Sequence, residues 1–182
     1  MKKIFIILCI LFSSNLFAQG TTHFKKGDMY AQGRLAVGSV YGAGSGFVVG
    51  GELAFMDDFF NLGELPSTLG LGGSFGYSSY SDKWTGGKWK YTNIVILGNA
   101  TYHAPIIEND KFDTFIVLSI GANLGKVTYA GPLSVYNSPT HGGVVFGSAV
   151  GMKYFFSPGI AGVIELGFGM GVLRIGIDYK LK

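Results

Sequence analysis

Three histidines, several carboxylates and many serines are the side chains of this 182-residue sequence that could perform acid–base or nucleophilic chemistry. His141 lies near Ser138 and Ser148 in the chain, and with a carboxylate it could form the triad that hydrolases use to activate a serine. This spacing resembles no known lipid-modifying arrangement, and the strand pattern described below places His141 in an outer loop. His23 and His103 are expected at the opposite end of the molecule, so the three histidines do not converge on one site.

The carboxylates and glycines give no stronger sign of catalysis. Glu52 and Glu165 could be paired catalytic carboxylates that exchange protons, but both have predicted basic partners on neighbouring strands, so we interpret them as structural. Metal binding requires convergent ligands, and the sequence shows no such group. The pairs Gly87-Lys88 and Gly125-Lys126 lack the spacing and the Ser or Thr of a phosphate-binding loop. The sequence therefore predicts a protein that is not an enzyme and binds no metal or cofactor.

The N-terminus has the features of a secretory signal peptide. Lys2 and Lys3 precede an apolar stretch, and small residues follow up to Ala18. Cleavage after Ala18 would remove Cys9, the single cysteine, and would lower the net charge from +3 to +1. A mature chain without a thiol has no disulfide and no thiolate metal site, and so weak a charge gives no reason to expect nucleic-acid binding.

We expect three segments. They are a signal peptide over residues 1–18, a short N-terminal segment over 19–27 and one domain over 28–182. The composition fits this division, because the chain has 30 glycines, 15% aromatic residues and 14% charged residues. This is about twice the glycine and about half the charge of an average soluble domain. Disorder and collagen are excluded, and no apolar run after residue 18 is long enough for a membrane-spanning helix.

From Asp28 onward, runs of alternating polar and apolar residues are separated by turn residues, which is typical of β-strands. The predicted strands are 29–41, 47–56, 68–79, 91–104, 112–127, 142–156, 160–170 and 172–181. An even number of strands, each about 9 to 11 residues or longer, is typical of outer-membrane barrels. The fold class is therefore all-β, an eight-stranded antiparallel up-and-down transmembrane β-barrel after an N-terminal signal peptide. Residues 28–182 are then one outer-membrane β-barrel domain, and residues 19–27 are a periplasmic N-terminal segment.

The same alternation places six charged residues on the polar face of the strands. They are Arg34, Glu52, Lys153, Glu165, Arg174 and Asp178. Hairpin turns bring Arg34 diagonally close to Glu52, and they bring Glu165 diagonally close to both Lys153 and Arg174. Because an enclosed charge without a partner costs several kcal/mol, this balance of opposite charges favours a structural network inside the barrel lumen.

The positions of small and aromatic residues also agree with the barrel hypothesis. Glycines such as Gly76, Gly98 and Gly151 are predicted to face inward and to make room for larger side chains, because eight strands enclose a narrow interior. Aromatic residues cluster at the strand ends, as the two interfacial girdles of a membrane barrel do. One girdle is Tyr41, Tyr77, Tyr80, Trp84, Trp89 and Tyr91, and the other is Tyr30, Tyr102, Phe112, Tyr154, Phe156 and Tyr179.

The C-terminal hairpins resemble those of small outer-membrane β-barrel proteins of Gram-negative bacteria, a class that includes OmpX and the transmembrane domain of OmpA. The resemblance lies in residues 151–156, 165–169 and 174–181, and Asn99 to His103 is also similar. The last segment resembles the insertion signal of this family, formed here by Arg174, Gly176, Tyr179 and Leu181. The chain departs from the family in ending with Lys182, where many members have an aromatic residue. The resemblance implies three partners, namely the barrel assembly machinery, outer-membrane lipid and lipopolysaccharide.

The predicted function is that of a non-enzymatic integral outer-membrane protein with a side-chain-filled lumen and a structural or surface-interaction role through its outer loops. It would be exported, monomeric and without a nucleic-acid partner. The outer-loop residues with the most binding-like composition are Lys83, Trp84, Lys88, Trp89 and Lys90, where tryptophans would anchor at the interface and lysines would contact lipopolysaccharide phosphates. Two alternatives remain open: a small channel or conduit for apolar solutes, and a soluble periplasmic lipocalin-like carrier.

Overall fold

The computed structural model describes residues 24–40, 43–60, 65–84, 87–107, 109–131 and 140–182. Within them, eight antiparallel strands form one closed barrel in which each strand pairs with its neighbours in the chain and β1 pairs with β8. The strands are β1 (Met29–Val40), β2 (Ala43–Asp57), β3 (Thr68–Trp84), β4 (Gly87–Ala104), β5 (Phe112–Ala130), β6 (Thr140–Ser157), β7 (Ile160–Phe168) and β8 (Leu173–Lys180). The predicted eight-stranded up-and-down barrel is thus confirmed.

The predicted signal peptide over residues 1–18 and most of the segment over 19–27 lie outside the described residues, so these two assignments stay predictions. No helix in the described part of the chain is long and apolar enough to cross a membrane.

The strands differ in length, so the wall of the barrel is higher on one side than on the other. We call the end where β1 begins and β8 ends the terminal end, and the opposite end the distal end. Strands β3 to β6 have 17 to 19 residues, whereas β7 has nine and β8 has eight. At the distal end, β6 pairs with β5 from Thr140 onward but with β7 only from Ser148 onward. Strands β3 to β6 therefore form a distal wall that extends beyond β7 and β8.

The distal wall is longer than the sequence predicted. Residues 80–90 were expected to form a connection, but β3 and β4 continue pairing through Tyr80↔Tyr91 and Lys83↔Lys88, and only residues 85–86 lie between the strands. The polar composition of this stretch suggested a loop. The regular alternation of lysine and aromatic residues from Lys88 to Tyr91 was the signal of a strand with two different faces.

Strand alternation separates two environments. One set of side chains points into the lumen and is buried, and the other set points outward and is mostly apolar and exposed. Gly98 belongs to the outward set, contrary to the prediction, because it lies between the buried Leu97 and the inward-facing Asn99. The other two glycines face inward as expected, Gly76 toward Met170 and Gly151 toward the ring of Phe115.

Candidate functional site

The centre of the lumen holds eight buried side chains that can carry charge, which we call the charged layer. Its members are Arg34, Glu52, His103, Asp113, Lys153, Glu165, Arg174 and Asp178, and each is at most 7% exposed. The six residues that the sequence assigned to the polar face all lie here. With His103 included, the layer has four basic side chains and four carboxylates, so neither sign dominates the lumen.

Arg34 connects two carboxylates of the charged layer. Its Nε lies 2.9 Å from Glu165 Oε1, and its Nη1 lies 2.5 Å from Asp178 Oδ1. The other oxygen of Glu165 lies 2.7 Å from Arg174 Nε, and these two residues are directly opposite each other on β7 and β8. The structure therefore brings Glu165 and Arg174 together as expected, whereas Arg34 pairs with Glu165 and Asp178 and not with the expected Glu52.

Lys153 on β6 joins the two sides of the charged layer. Its Nζ lies 3.0 Å from Asp178 Oδ2 and 3.3 Å from Glu52 Oε2. The expected partner was Glu165. The ammonium group also lies 5.1 to 5.3 Å from the ring centroids of Phe24, Tyr30 and Phe115, within the range of cation–π attraction. Lys153 is thus held by two carboxylates and three aromatic rings.

His103 is fully enclosed between two carboxylates. Its Nδ1 lies 2.6 Å from Asp113 Oδ2 and its Nε2 lies 2.9 Å from Glu52 Oε1. The sequence interpretation placed His103 at the rim of the barrel and did not include Asp113 in the network. Strand alternation was the available signal, because His103 continues the inward series of Asn99 and Thr101, and Asp113 starts the inward series of β5.

An apolar layer closes the lumen at the terminal end. It consists of Phe24, Tyr30, Ala54, Phe155 and Ala161, all buried. Phe24 precedes β1 and was not expected to be part of the barrel interior, yet its ring lies 4.3 Å from that of His103. Tyr30 was assigned to an interfacial girdle but points inward and is only 1% exposed.

A small cavity and a second apolar layer lie on the distal side of the charged layer. The cavity has a volume of about 40 Å³ and its lining includes Arg34, Ser74, Asn99, Ser119 and Arg174. It has room for roughly three water molecules. The distal apolar layer consists of Ala36, Val48, Val95, Leu97, Val145 and Met170. The interior thus alternates between apolar and polar layers, and the cavity of about 40 Å³ is too small for an organic ligand.

The outward face of the barrel carries a broad apolar belt. Its exposed side chains include Leu35, Val49, Phe75, Ile96, Leu118, Ile120, Phe146, Val150, Leu166, Ile175 and Ile177, which are 39% to 68% exposed. Among the described outward-facing strand residues, charge occurs only at the distal end. The charged residues there are Lys83, Lys88, Lys90 and Lys126, whereas Asp57 at the terminal end lies opposite the buried Thr68 after a bulge in β2 and so is on the lumen side.

Aromatic side chains border this belt at the terminal end. Tyr102, Phe112, Tyr154, Phe156 and Tyr179 all point outward there. Phe112 and Tyr154 have ring centroids 5.1 Å apart, and Tyr154 and Phe156 have centroids 5.3 Å apart. Five of the six residues predicted for this girdle are therefore on the outward face.

The distal wall has two different faces. The predicted outer-loop residues Lys83, Lys88 and Lys90 lie on strands, where Lys83 is directly opposite Lys88 and all three point outward. Trp89 alternates with these lysines and faces the lumen side. Its ring centroid lies 4.7 Å from that of Tyr129, and Tyr80 and Tyr91 stack beside them. The structure thus separates the lysines from Trp89, which the sequence grouped in one cluster; the side chain of Trp84 is outside the described part.

The residues of the predicted insertion signal lie on the last strand and just after it. Arg174 belongs to the charged layer, and Gly176 packs against Arg34, so closely that a Cβ would lie 2.7 Å from Arg34 Cδ. Tyr179 and Leu181 are 56% and 58% exposed. Arg174 and Gly176 therefore have lumen contacts that are independent of any role as a signal.

The described residues offer little for catalysis. No group of three or more His, Cys, Asp or Glu side chains among them could hold a metal ion. His103 is enclosed by its carboxylate partners and Phe24. Of the possible triad, Ser138 and the side chain of His141 lie outside the described residues, so the absence of enzymatic activity stays a prediction.

The solved structures that resemble this chain include those of one bacterial outer-membrane protein. No family model matches the sequence, and no curated protein matches it. The chain is similar to Ail, the attachment invasion locus protein of Yersinia pestis, in complex with the heparin analogue sucrose octasulfate. The identity is 14% and the TM-score 0.46, over 85% of this chain and 95% of that one. A structure of the outer membrane protein Ail in a phospholipid bilayer nanodisc has 16% identity and a TM-score of 0.45, over 86% of this chain and 100% of that one.

Proposed function

We propose that this protein is an integral outer-membrane β-barrel, without enzymatic activity, whose lumen is filled by side chains and whose distal wall acts at the cell surface. The observation that carries the proposal is the apolar belt, because charge on the described outward face of the strands is confined to the distal end. Lipid favours such a belt with aromatic borders. A soluble carrier would instead expose this apolar surface to water, and monomeric soluble proteins rarely expose contiguous apolar patches of more than a few hundred Å².

A pair of arginine substitutions on one face of β5 distinguishes a membrane from water. Leu118 is 61% exposed in the middle of the belt, and Thr128 is exposed on the same face near the distal end. In lipid, Leu118→Arg should lower the free energy of unfolding by about 2–4 kcal/mol, whereas Thr128→Arg should lower it by about 0–1 kcal/mol. Urea unfolding in lipid vesicles measures both. Equal and small effects of the two substitutions would overturn the proposal, because an exposed leucine in water tolerates arginine.

The outward lysines of the distal wall supply the proposed contact with lipopolysaccharide. Lys126 lies two residues beyond Leu124, which is part of the belt, so the lysines begin where the apolar surface ends. Lys83 and Lys88 are directly opposite each other, and like charges in that position are destabilising. Phosphate groups of the outer leaflet would neutralise this repulsion. In this orientation, the terminal end faces the periplasm and the distal end faces outward.

Three further assignments belong to this proposal. Export through a cleaved signal peptide over residues 1–18 precedes assembly. Recognition by the barrel assembly machinery uses the exposed Tyr179 and Leu181 together with Arg174 and Gly176. The protein is a monomer, which is supported by β1–β8 pairing that closes the barrel within one chain.

A further inference from the structure

The four-residue connection between β7 and β8 directs one side chain into the barrel. Gly169 and Gly171 have φ angles of 101° and 123°, which L-residues with a side chain rarely adopt. Met170 between them is 6% exposed, whereas Val172 on the same connection is 54% exposed. The two glycines therefore turn the chain so that Met170 enters the lumen while its neighbour stays outside.

Met170 reaches across the lumen to β3, three strands around the barrel from β8. A Cβ on Gly76 would lie 1.6 Å from Met170 Cε, so the absence of a side chain at position 76 creates the space that the methionine occupies. The flexible, unbranched methionine side chain is suited to filling such an irregular gap. The two positions form a matched pair, a long side chain and the glycine that receives it.

The layer that Met170 completes separates two polar regions. On its terminal side lies the cavity of about 40 Å³ with Asn99 and Ser119 in its lining. On its distal side lie Asn93 and Asn123, joined by a hydrogen bond of 3.2 Å. The remaining members of the layer are strand residues fixed by backbone pairing. Met170 is the member that comes from a connection, so it is the side chain that can leave without breaking the barrel.

We infer that Met170 is a stopper that closes the polar cavity of the lumen toward the distal mouth. This inference rests on the filled lumen of the proposed function and names the side chain that seals it. Movement of the β7–β8 connection would withdraw the methionine and admit water and small ions to the charged layer. The barrel thus contains a gate whose moving part is the segment Gly169–Gly171 of this connection.

A cysteine in the cavity tests the stopper. Ser119→Cys places a thiol in the cavity wall, and silver ion is a probe small enough to enter it. The purified protein is refolded in lipid vesicles, and the rate of thiol loss is followed by labelling the remaining thiol after denaturation. Adding Met170→Ala should raise this rate by about tenfold or more, because silver ion can then reach the thiol without a local opening of the apolar layer.

Two matched variants control the experiment. Met170→Leu keeps an apolar side chain of similar volume and should retain the slow rate, and Val172→Ala changes the exposed neighbour and should have no effect. The stopper is overturned if Met170→Ala reacts no faster than Val172→Ala, or if Ser119→Cys alone reacts as fast as Thr128→Cys on the exposed face. Failure of the proposed function would appear separately, as equal effects of Leu118→Arg and Thr128→Arg, which do not involve the lumen.

Discussion

At the scale of single residues, Lys153 is the side chain on which most of the charged layer depends. It reaches Glu52 on β2 and Asp178 on β8 from its own position on β6. Glu52 in turn contacts His103, and Asp178 contacts Arg34. Removing the ammonium group would leave two enclosed carboxylates with fewer partners, and the cost of an unpaired buried charge exceeds what the ion pair itself contributes.

We therefore expect Lys153→Met to lower the free energy of unfolding by about 3–5 kcal/mol, the range measured when one partner of a buried ion pair is removed. Lys180→Met is the matched control, since Lys180 pairs with Asp28 at 2.8 Å but its side chain is 30% exposed. That change should cost less than about 1 kcal/mol, as exposed pairs do. Urea unfolding in vesicles compares the two. Equal costs would show that the charged layer is solvated and not enclosed.

Glycines facing the lumen provide a second prediction at this scale. A Cβ on Gly151 would lie 2.3 Å from the ring of Phe115, whereas a Cβ on Gly143, which lies earlier on the same strand and on the same face, would meet no atom within 4 Å. Gly151→Ala should destabilise the barrel by about 1–3 kcal/mol through overpacking. Gly143→Ala should be neutral or slightly stabilising. Thermal unfolding of both variants in one detergent gives the comparison, and equal melting temperatures would contradict the packing.

The sequence identified the residues of the lumen better than their partners. Alternation assigned Arg34, Glu165 and four other charged residues to one face, and all six lie in the charged layer. The predicted pairs joined only neighbouring strands, because a sequence allows the pairing of two strands to be inferred only from the turn that connects them. In a narrow closed barrel, side chains also meet across the lumen, as Lys153 on β6 meets Glu52 on β2. The position of Phe24 was not predicted for a related reason, because a residue before the first strand has no strand partner from which its place in the lumen could be inferred.

At the scale of elements, the β3–β4 hairpin shows how one strand can present two chemistries. Lys88 and Lys90 point outward, and Trp89 and Tyr91 point to the lumen side. Composition alone grouped these residues as one loop cluster, although their period of two was visible in the sequence. The separation places cations on the side where lipid headgroups would lie and aromatic rings above the mouth of the barrel.

The lysine face predicts a dependence on lipid composition. Replacing Lys83, Lys88, Lys90 and Lys126 by glutamine should remove the extra stability that lipopolysaccharide gives to the protein, since each lysine near an anionic membrane surface contributes about 1 kcal/mol. The measurement is the difference in melting temperature between vesicles with and without lipopolysaccharide. Glutamine at Lys25 and Lys26, which are exposed at the terminal end, is the control. An unchanged difference in the fourfold variant would exclude this face as the lipopolysaccharide contact.

At the scale of the whole molecule, the order of the lumen layers determines whether the barrel conducts. From the terminal end, the layers are the aromatic group around Phe24, the charged layer, the cavity of about 40 Å³ and the apolar layer that Met170 completes. Each apolar layer excludes hydrated ions, and the ion pairs between them span the lumen from β1 to β7 and from β2 to β6. A channel would require all of these groups to move aside together.

The purified protein should therefore produce no stepwise conductance in planar lipid bilayers under conditions in which a porin, added as a positive control, conducts. Met170→Ala alone should also stay silent, because it opens the distal layer while the charged layer and the Phe24 group still block the path. In the Met170→Ala variant we therefore expect silver to react faster with Ser119→Cys while ion conductance stays absent. Regular conductance steps from the unmodified protein would favour the small-channel alternative and would show that the lumen layers open as a unit.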